Sequence, residues 1–381
     1  MKKFLALMLA LIMALALVAC GQEAAAPADE GGDAAAAGNA DIGISMPTKS
    51  LERWNRDGSY LKEQFESAGY KVELTYSDND DVQQNNDIAN MIADGVKVLV
   101  IAAINSDSLS QTLADAEAAG IKVIAYDRLI NNAKIDYYVS FDNYTVGVLQ
   151  AQYVIDALDL ENAGDKKFNI EFTAGDPADN NAGYFFNGAF DTLKPYIEAG
   201  TLVIPSGKNT FEQVATPQWN TATAMTNFQN TLASFYSDDT VLDIALCSND
   251  STAAGVAQAI GSDYAKDNAI VVTGQDGDIA NLQNIVDGKQ TMTVYKNVAN
   301  EAIVTLELAK AMMAGDIDGE ALVATFGIPC AFDTESYETS EGVKCPSFLL
   351  VPSVITKDNL QELVDTGLYT MGADGYLAAA N

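Results

Sequence analysis

Val96-Lys97-Val98-Leu99-Val100-Ile101 and Ile121-Lys122-Val123-Ile124-Ala125-Tyr126, separated by an amphipathic stretch around Leu109 to Ala119, decide the fold. Both runs are almost wholly apolar and rich in β-branched residues, as strands covered on both faces must be, and the segment between them is long enough for a helical crossover. Working outward, the same alternation recurs. Upstream lie the strand Ile42-Gly43-Ile44-Ser45, a helix around Gly58 to Ala68, the strand Lys71 to Tyr76 and a helix from about Val82 to Ala93. Beyond Asn143 the cycle restarts with strands at Phe168 to Phe172, Thr201 to Pro205, Val241 to Leu246 and Ile270 to Thr273, spaced by helical segments near Val146 to Leu158, up to Ile197, Thr221 to Ser234 and Ala253 to Ile260. Repeated βαβ units predict an α/β protein with two doubly wound parallel-sheet lobes.

The flanks set the compartment. Met1-Lys2-Lys3 precedes an apolar run, Phe4 to Ala19, that is shorter than the ~20 residues needed to span a bilayer and therefore reads as an export signal. It ends in Leu17-Val18-Ala19-Cys20, which resembles a bacterial lipobox, so residues 1–20 are expected to be a lipoprotein signal with Cys20 as the lipidated residue. Residues 21–40 carry almost no large apolar side chain and cannot offset the entropy of ordering; they are expected to be a disordered tether. The remainder exceeds the size at which one core splits.

Composition removes several classes of function. A net charge of −32 and no basic cluster outside the signal argue against nucleic acid. The chain has no histidine, which takes away the commonest general base, the usual zinc ligand and any Ser-His or Cys-His nucleophile. Its carboxylates lack the compact spacing of a calcium loop, so no metal and no cofactor are expected. Besides Cys20, Cys247 lies in an apolar strand, while Cys330 and Cys345 bracket a polar loop; in an exported chain these two could form a disulfide or remain free thiols.

Open α/β sheets bind ligands outside the carboxyl ends of their strands. Polar residues fall there four times: Asp127-Arg128, then Asp176, Asp179, Asn180 and Asn181, then Asn249-Asp250, then Gln275-Asp276. Singly, each reads as a helix cap. Trp54 and Trp219 also lie outside the strands among polar neighbours, which argues for half-exposed rings. Aromatic faces beside planar hydrogen-bonding groups suit a pyranose, whose C–H faces are apolar and whose hydroxyls each donate and accept.

These residues sit within segments that resemble the sugar-binding proteins of ABC importers with the type I periplasmic-binding fold, in particular their D-xylose-binding and multiple-monosaccharide-binding members. The matching blocks are MPTKSLERW (Met46 to Trp54), GVKVLVIAAI (Gly95 to Ile104), GIKVIAYDRLI (Gly120 to Ile130), SFDNYTVGVLQA (Ser140 to Ala151), DPADNNA (Asp176 to Ala182), CSNDSTAAG (Cys247 to Gly255), VTGQDGD (Val272 to Asp278) and TMTVYK (Thr291 to Lys296). The resemblance implies a monosaccharide held by Arg53, Asp127 and Arg128 from one lobe and by Asp179, Asn181, Trp219, Asn249, Asp276 and Lys296 from the other lobe or the hinge, with Trp54 beneath the ring. Lys49, in the same first loop, could reach a hydroxyl or be solvated; Asp250 is expected to cap a helix. Three crossings are implied, at Asp142-Asn143, at Lys296-Asn297 and near Leu350 to Ser353. The first lobe is then residues 41–144 and 297–350, the second 145–296 and 351–381. The loop Ala331 to Lys344 is longer than the family pattern.

The expectation is a monomeric, non-enzymatic, extracytoplasmic receptor, anchored to the membrane through lipid alone, that closes on an aldopyranose such as glucose, galactose, arabinose or xylose and presents it to an importer permease. Two alternatives stay open. A sugar-sensing co-receptor for chemotaxis or a kinase would have the same site. A glycosidase would need two carboxylates across a glycosidic bond, which Asp127, Asp179 and Asp276 could supply.

Overall fold

The computed structural model describes residues 40–315 and 317–380. The export signal, Cys20 and all of the tether but Ala40 lie outside them. The strands are β1 (Ile42–Met46), β2 (Val72–Tyr76), β3 (Val98–Ile101), β4 (Lys122–Tyr126), β5 (Tyr137–Phe141), β6 (Phe168–Thr173), β7 (Leu202–Val203), β8 (Ile244–Cys247), β9 (Val271–Val272), β10 (Met292–Tyr295), β11 (Cys330–Asp333), β12 (Ser347–Leu350) and β13 (Ser353–Thr356), followed by a short terminal hairpin. They build a seven-stranded sheet in the order β11-β12-β5-β4-β3-β1-β2 and a four-stranded sheet in the order β7-β6-β8-β9. The neighbours run parallel, as the βαβ pattern requires, with Ile42 opposite both Val72 and Val98 and Ile170 opposite Ile244. One edge departs: β11 runs antiparallel to β12, because a hairpin-like return with no crossover helix joins them.

Burial on both faces explains the apolar runs. In β3, Val98 and Val100 enter one core and Leu99 and Ile101 the other, all fully buried. Each such side chain contributes about 1.5 to 3 kcal/mol by leaving water. The smaller sheet is likewise sandwiched, with Ile244 and Leu246 of β8 on one side and Ala245 and Cys247 on the other. β10 and β13 pair antiparallel beside it, tied by a bridge between Gln275 and Val294.

The chain passes between the two sheets three times: after β5 into helix Asn143–Leu158, after β10 into helix Val298–Ala314, and from β12 to β13. Asp142 and Asn297 cap those two helices, accepting from Thr145 N at 3.0 Å and Asn300 N at 3.1 Å. Asn143 is buried just inside the first, and its side-chain amide donates to Tyr138 Oη at 3.0 Å.

One expectation fails locally, and one open alternative is decided. The first helix spans Glu52–Ser67 and so begins well before Gly58; Arg53 and Trp54 stand on its first turn and not in a loop. No side chain caps its start at Leu51, which is why the usual Ser, Thr, Asp or Asn marker is missing there. Cys330 and Cys345 are free thiols. The antiparallel register sets Cys330 opposite Leu350, whereas Cys345 N donates to Tyr337 O at 3.0 Å. The thiols are therefore several residues out of step, at about 3.3 Å per residue, far beyond the roughly 7 Å between Cα atoms that a bridge tolerates. The long loop is a β-hairpin extension, closed by a bridge between Glu338 and Lys344.

Candidate functional site

The carboxyl ends of the two sheets face each other across a cleft lined by Leu51, Arg53, Trp54, Asp127, Arg128, Asp179, Phe185, Trp219, Asn249, Ser251, Gln275, Asp276, Asp278 and Lys296. It is nearly shut, with about 30 Å³ open to the centre of a water molecule. From the larger sheet, Arg53 Nη2 reaches Asp127 Oδ1 at 2.6 Å while its Nη1 crosses to Asp276 Oδ1 at 3.2 Å. Lys296, at the end of β10, places Nζ 2.6 Å from the same Asp127 oxygen. Arg128 donates from Nη1 to Ala103 O at 3.1 Å. Its Nε lies 3.1 Å from Asp179 Oδ2 but off the line a hydrogen bond needs, so this second cross-cleft contact is an ion pair alone.

Both indoles are buried, Trp54 at 3% and Trp219 at 4% exposure, which corrects the expectation of half-exposed rings. The cleft itself covers them. The guanidiniums of Arg53 and Arg128 each sit 4.9 Å from the Trp54 ring, within cation–π range. Trp219 Nε1 donates to Asp179 Oδ2 at 3.2 Å, and its ring meets Phe185 edge-on at 6.1 Å. Gly175 leaves the space for that ring, since a Cβ there would fall 1.9 Å from it.

Three of these residues adopt positive φ: Asp127 at 57°, Trp219 at 54° and Asp276 at 104°. Non-glycine residues in that region cost about 1 to 3 kcal/mol each and persist only where neighbours dictate them. At Asp127 the neighbours are evident. Its carbonyl accepts from Tyr138 Oη at 2.7 Å, Ser140 Oγ at 2.9 Å and Asn181 Nδ2 at 2.6 Å.

The charges are buried and crowded. Burial pushes the Asp127 carboxyl up, but Arg53 and Lys296 outweigh it and hold the group well below the usual carboxylate range. Burial wins at Asp179, which is raised against Arg128's opposition, and at Glu301, raised well above normal by burial and by Asp127 against Arg53. Asp57, behind Arg53, is raised by burial too. Asp278 is pushed up to about 7 by burial, opposed by Arg56.

Of the residues singled out from the sequence, Arg53, Trp54, Asp127, Arg128, Asp179, Trp219, Asn249, Asp276 and Lys296 all line the cleft. Asn181 does not: its amide is spent on Asp127 O and on Tyr138 Oη at 3.1 Å, so it holds the Asp127 turn from behind. Lys49 is exposed, with Nζ 4.9 Å from the Tyr76 ring. Asp250 opens helix Asp250–Asp263 but does not cap it; Asn249 does, accepting from Thr252 N at 3.0 Å. The Asp250 carboxylate accepts instead from Asp278 N at 2.9 Å and Gln290 Nε2 at 2.8 Å, tying two loops together. Leu51, Phe185, Ser251, Gln275 and Asp278 line the cleft without having been assigned to it. Ser251, Gln275 and Asp278 stand inside the blocks CSNDSTAAG and VTGQDGD; the two apolar residues carry no polar signal.

Comparison with known proteins matches residues 42–317 to a family model described as a periplasmic binding protein domain. The multiple sugar-binding periplasmic receptor of Rhizobium radiobacter is 41% identical over 340 residues, covering 88% of this chain and 92% of that protein. The D-xylose-binding periplasmic protein of Escherichia coli is 34% identical over 324 residues, 85% of this chain and 88% of that one. Among solved structures, an ABC-transporter solute-binding protein from Clostridium phytofermentans with bound β-D-glucose is 46% identical with a TM-score of 0.80, covering 86% of this chain and 98% of the other.

Proposed function

We propose that this chain, which belongs to the periplasmic binding protein family, captures one monosaccharide of the glucose or xylose type between its two sheets and delivers it to an ABC importer. The observation that carries the reading is a pair of orphaned polar atoms. Gln275 and Arg128 line the cleft, and the buried Gln275 Oε1 and Arg128 Nε have no hydrogen-bond partner among the described residues, Arg128 Nε being only ion-paired to Asp179. Buried polar atoms normally find one, and a sugar hydroxyl, which donates and accepts at once, serves both kinds. Asp127 and Asp276 offer ionic acceptors beside the donors of Arg53 and Lys296, and the indoles offer apolar faces.

The lobes are residues 41–144 with 297–350 and residues 145–296 with 351–381. They part to admit the sugar and close to exclude water, rotating at Asp142, Asn143 and Asn297, and the permease reads the closed arrangement. Cys20 carries the lipid that keeps the receptor at the outer face of the membrane. Asp127, Asp179 and Asp276 are each engaged by a cation, an arrangement suited to holding hydroxyls. Asp179 is raised, as the general acid of a glycosidase would be, but it is already committed to Trp219 Nε1, the Asn181 N–H and Arg128, while Asp127 is held well below the usual carboxylate range. Calorimetric titration of residues 41–381 with D-xylose, D-glucose, D-galactose, L-arabinose and D-ribose tests the reading. One-to-one binding of at least one sugar is expected, and silence across the panel refutes it.

A further inference from the structure

Outside the ring of cleft residues, two side chains on the first turns of helix Glu52–Ser67 reach across to the opposite sheet's loop. Arg56 donates from Nη1 to Gly277 O at 2.9 Å and from Nη2 to Asp276 O at 3.1 Å and Asp278 Oδ1 at 3.0 Å. Tyr369 Oη backs the same carbonyl, donating to Gly277 O at 3.1 Å. Glu52 Oε1 accepts from Ile279 N at 2.9 Å. Neither Glu52 nor Arg56 lines the cleft.

Ile279 N is the first N–H of helix Ile279–Asp287, and Asp278 occupies the N-cap position with extended backbone, yet its side chain caps nothing. Helix starts leave N–H groups without partners, and an N-cap aspartate ordinarily satisfies one. Here the Asp278 carboxylate is given to Arg56 and not to the second or third N–H of the helix, and a different orphan, the first N–H at Ile279, is satisfied from across the cleft by Glu52. When the sheets part, both cross-cleft contacts break together, and Asp278 is free to turn back onto its own helix.

We propose that Glu52 and Arg56 form a closure latch, a pair of positioning residues that hold the Asp276 loop over the cleft and set the balance between open and closed forms: closed, Glu52 holds the first N–H of helix Ile279–Asp287 while Arg56 withholds Asp278 from the N–H groups that follow, and opening releases both. This rests on the sugar-capture reading above. Because the latch touches only the protein, it acts on every sugar alike.

The test is titration of wild type, Arg56→Ala, Glu52→Ala and Glu52→Gln with glucose and xylose, alongside small-angle scattering without sugar. Losing charge-assisted bonds that exist only in the closed form should weaken binding by about 10-fold in Arg56→Ala. The loss should be the same factor for both sugars, so their preference ratio stays put. Glu52→Gln keeps an acceptor oxygen and should stay near wild type, while Glu52→Ala should not. In scattering, Arg56→Ala should shift the molecules toward a larger radius of gyration. Unchanged affinity, or a loss that differs from sugar to sugar, overturns the latch. If wild type binds no sugar the capture reading fails by itself, and an unchanged scattering profile for Arg56→Ala then overturns the latch independently.

Discussion

Gly175→Ala places one methyl group against the sugar site without touching the sugar. The backbone of Gly175 is not in the left-handed region, so the substitution adds no strain of its own; the glycine is there for space. A Cβ would lie 1.9, 2.2 and 2.3 Å from three atoms of the Trp219 ring, and ordinary contact begins near 3.4 Å, so the ring must retreat by about 1.5 Å. It cannot do so freely. Its backbone is held at positive φ on two successive residues, Gln218 and Trp219, its Nε1 is bound to Asp179 Oδ2, and Phe185 stands 6.1 Å away edge-on. Overpacking of this kind costs about 1 to 3 kcal/mol. If the ring contacts the sugar, that cost appears as an affinity loss of roughly 5- to 150-fold. Calorimetric titration with the tightest sugar reads it, beside a double-mutant cycle with Trp219→Ala. Once the ring is gone the clash has no partner, so Gly175→Ala/Trp219→Ala should bind within about twofold of Trp219→Ala alone. Wild-type affinity in Gly175→Ala, or a double variant weakened by the full product of both single losses, refutes the claim that Trp219 is the part the glycine protects.

Asp127→Asn removes the carboxylate that Arg53 and Lys296 share and should cost about 3 kcal/mol or more in urea unfolding near neutral pH, because the buried Lys296 loses the carboxylate it is paired with and Arg53 loses the nearest of its partners. Since the folded Asp127 titrates well below its ordinary range, its contribution is present above about pH 4 and is lost as pH falls below that toward the folded value; the gap between wild type and variant should therefore narrow from pH 5 to pH 3, and a gap that widens contradicts the pairing. Cys20→Ser should move the receptor from the membrane fraction to the soluble fraction and abolish labelling by radioactive palmitate, whereas retention at the membrane would mean the apolar leader itself is the anchor.

The strands were legible because a sheet covered on both faces leaves its buried residues no choice: Val98 to Ile101 and Val123 to Tyr126 must be apolar throughout, and their spacing then dictates a helix between them. What stayed hidden depends on direction and register, which composition does not encode. Cys330 and Cys345 look paired along the chain and are separated by the hairpin register. Asn181 looks like a ligand contact, and its amide turns to Asp127 O because Tyr138 on the neighbouring strand takes the other end. Glu52 and Arg56 carry no signal in the sequence beyond their i, i+4 spacing, and only the opposing loop brought over them gives them partners. Even the close approach of helices Asn143–Leu158 and Asn180–Glu198 is written only as two glycines: a Cβ on Gly147 would meet Phe185 O at 2.1 Å, and one on Gly188 would meet Tyr144 O at 2.1 Å.

The strand-end residues show why the plain reading and the functional one were hard to separate. Asp179 caps helix Asn180–Glu198 through Oδ1, accepting from Asn181 N at 3.0 Å, and with Oδ2 it holds Trp219 and faces Arg128. Asn249 caps helix Asp250–Asp263 through Oδ1 and turns its Nδ2 to Ser251 Oγ at 2.9 Å on the cleft wall. A carboxylate or amide has two ends. At the carboxyl end of a parallel strand, one end satisfies the helix that follows and the other is left to face whatever lies between the sheets. The preference for Asp and Asn at helix starts and the location of the binding crevice are therefore one physical arrangement, and a cap that also lines the cleft needs no residue beyond those the fold already demands.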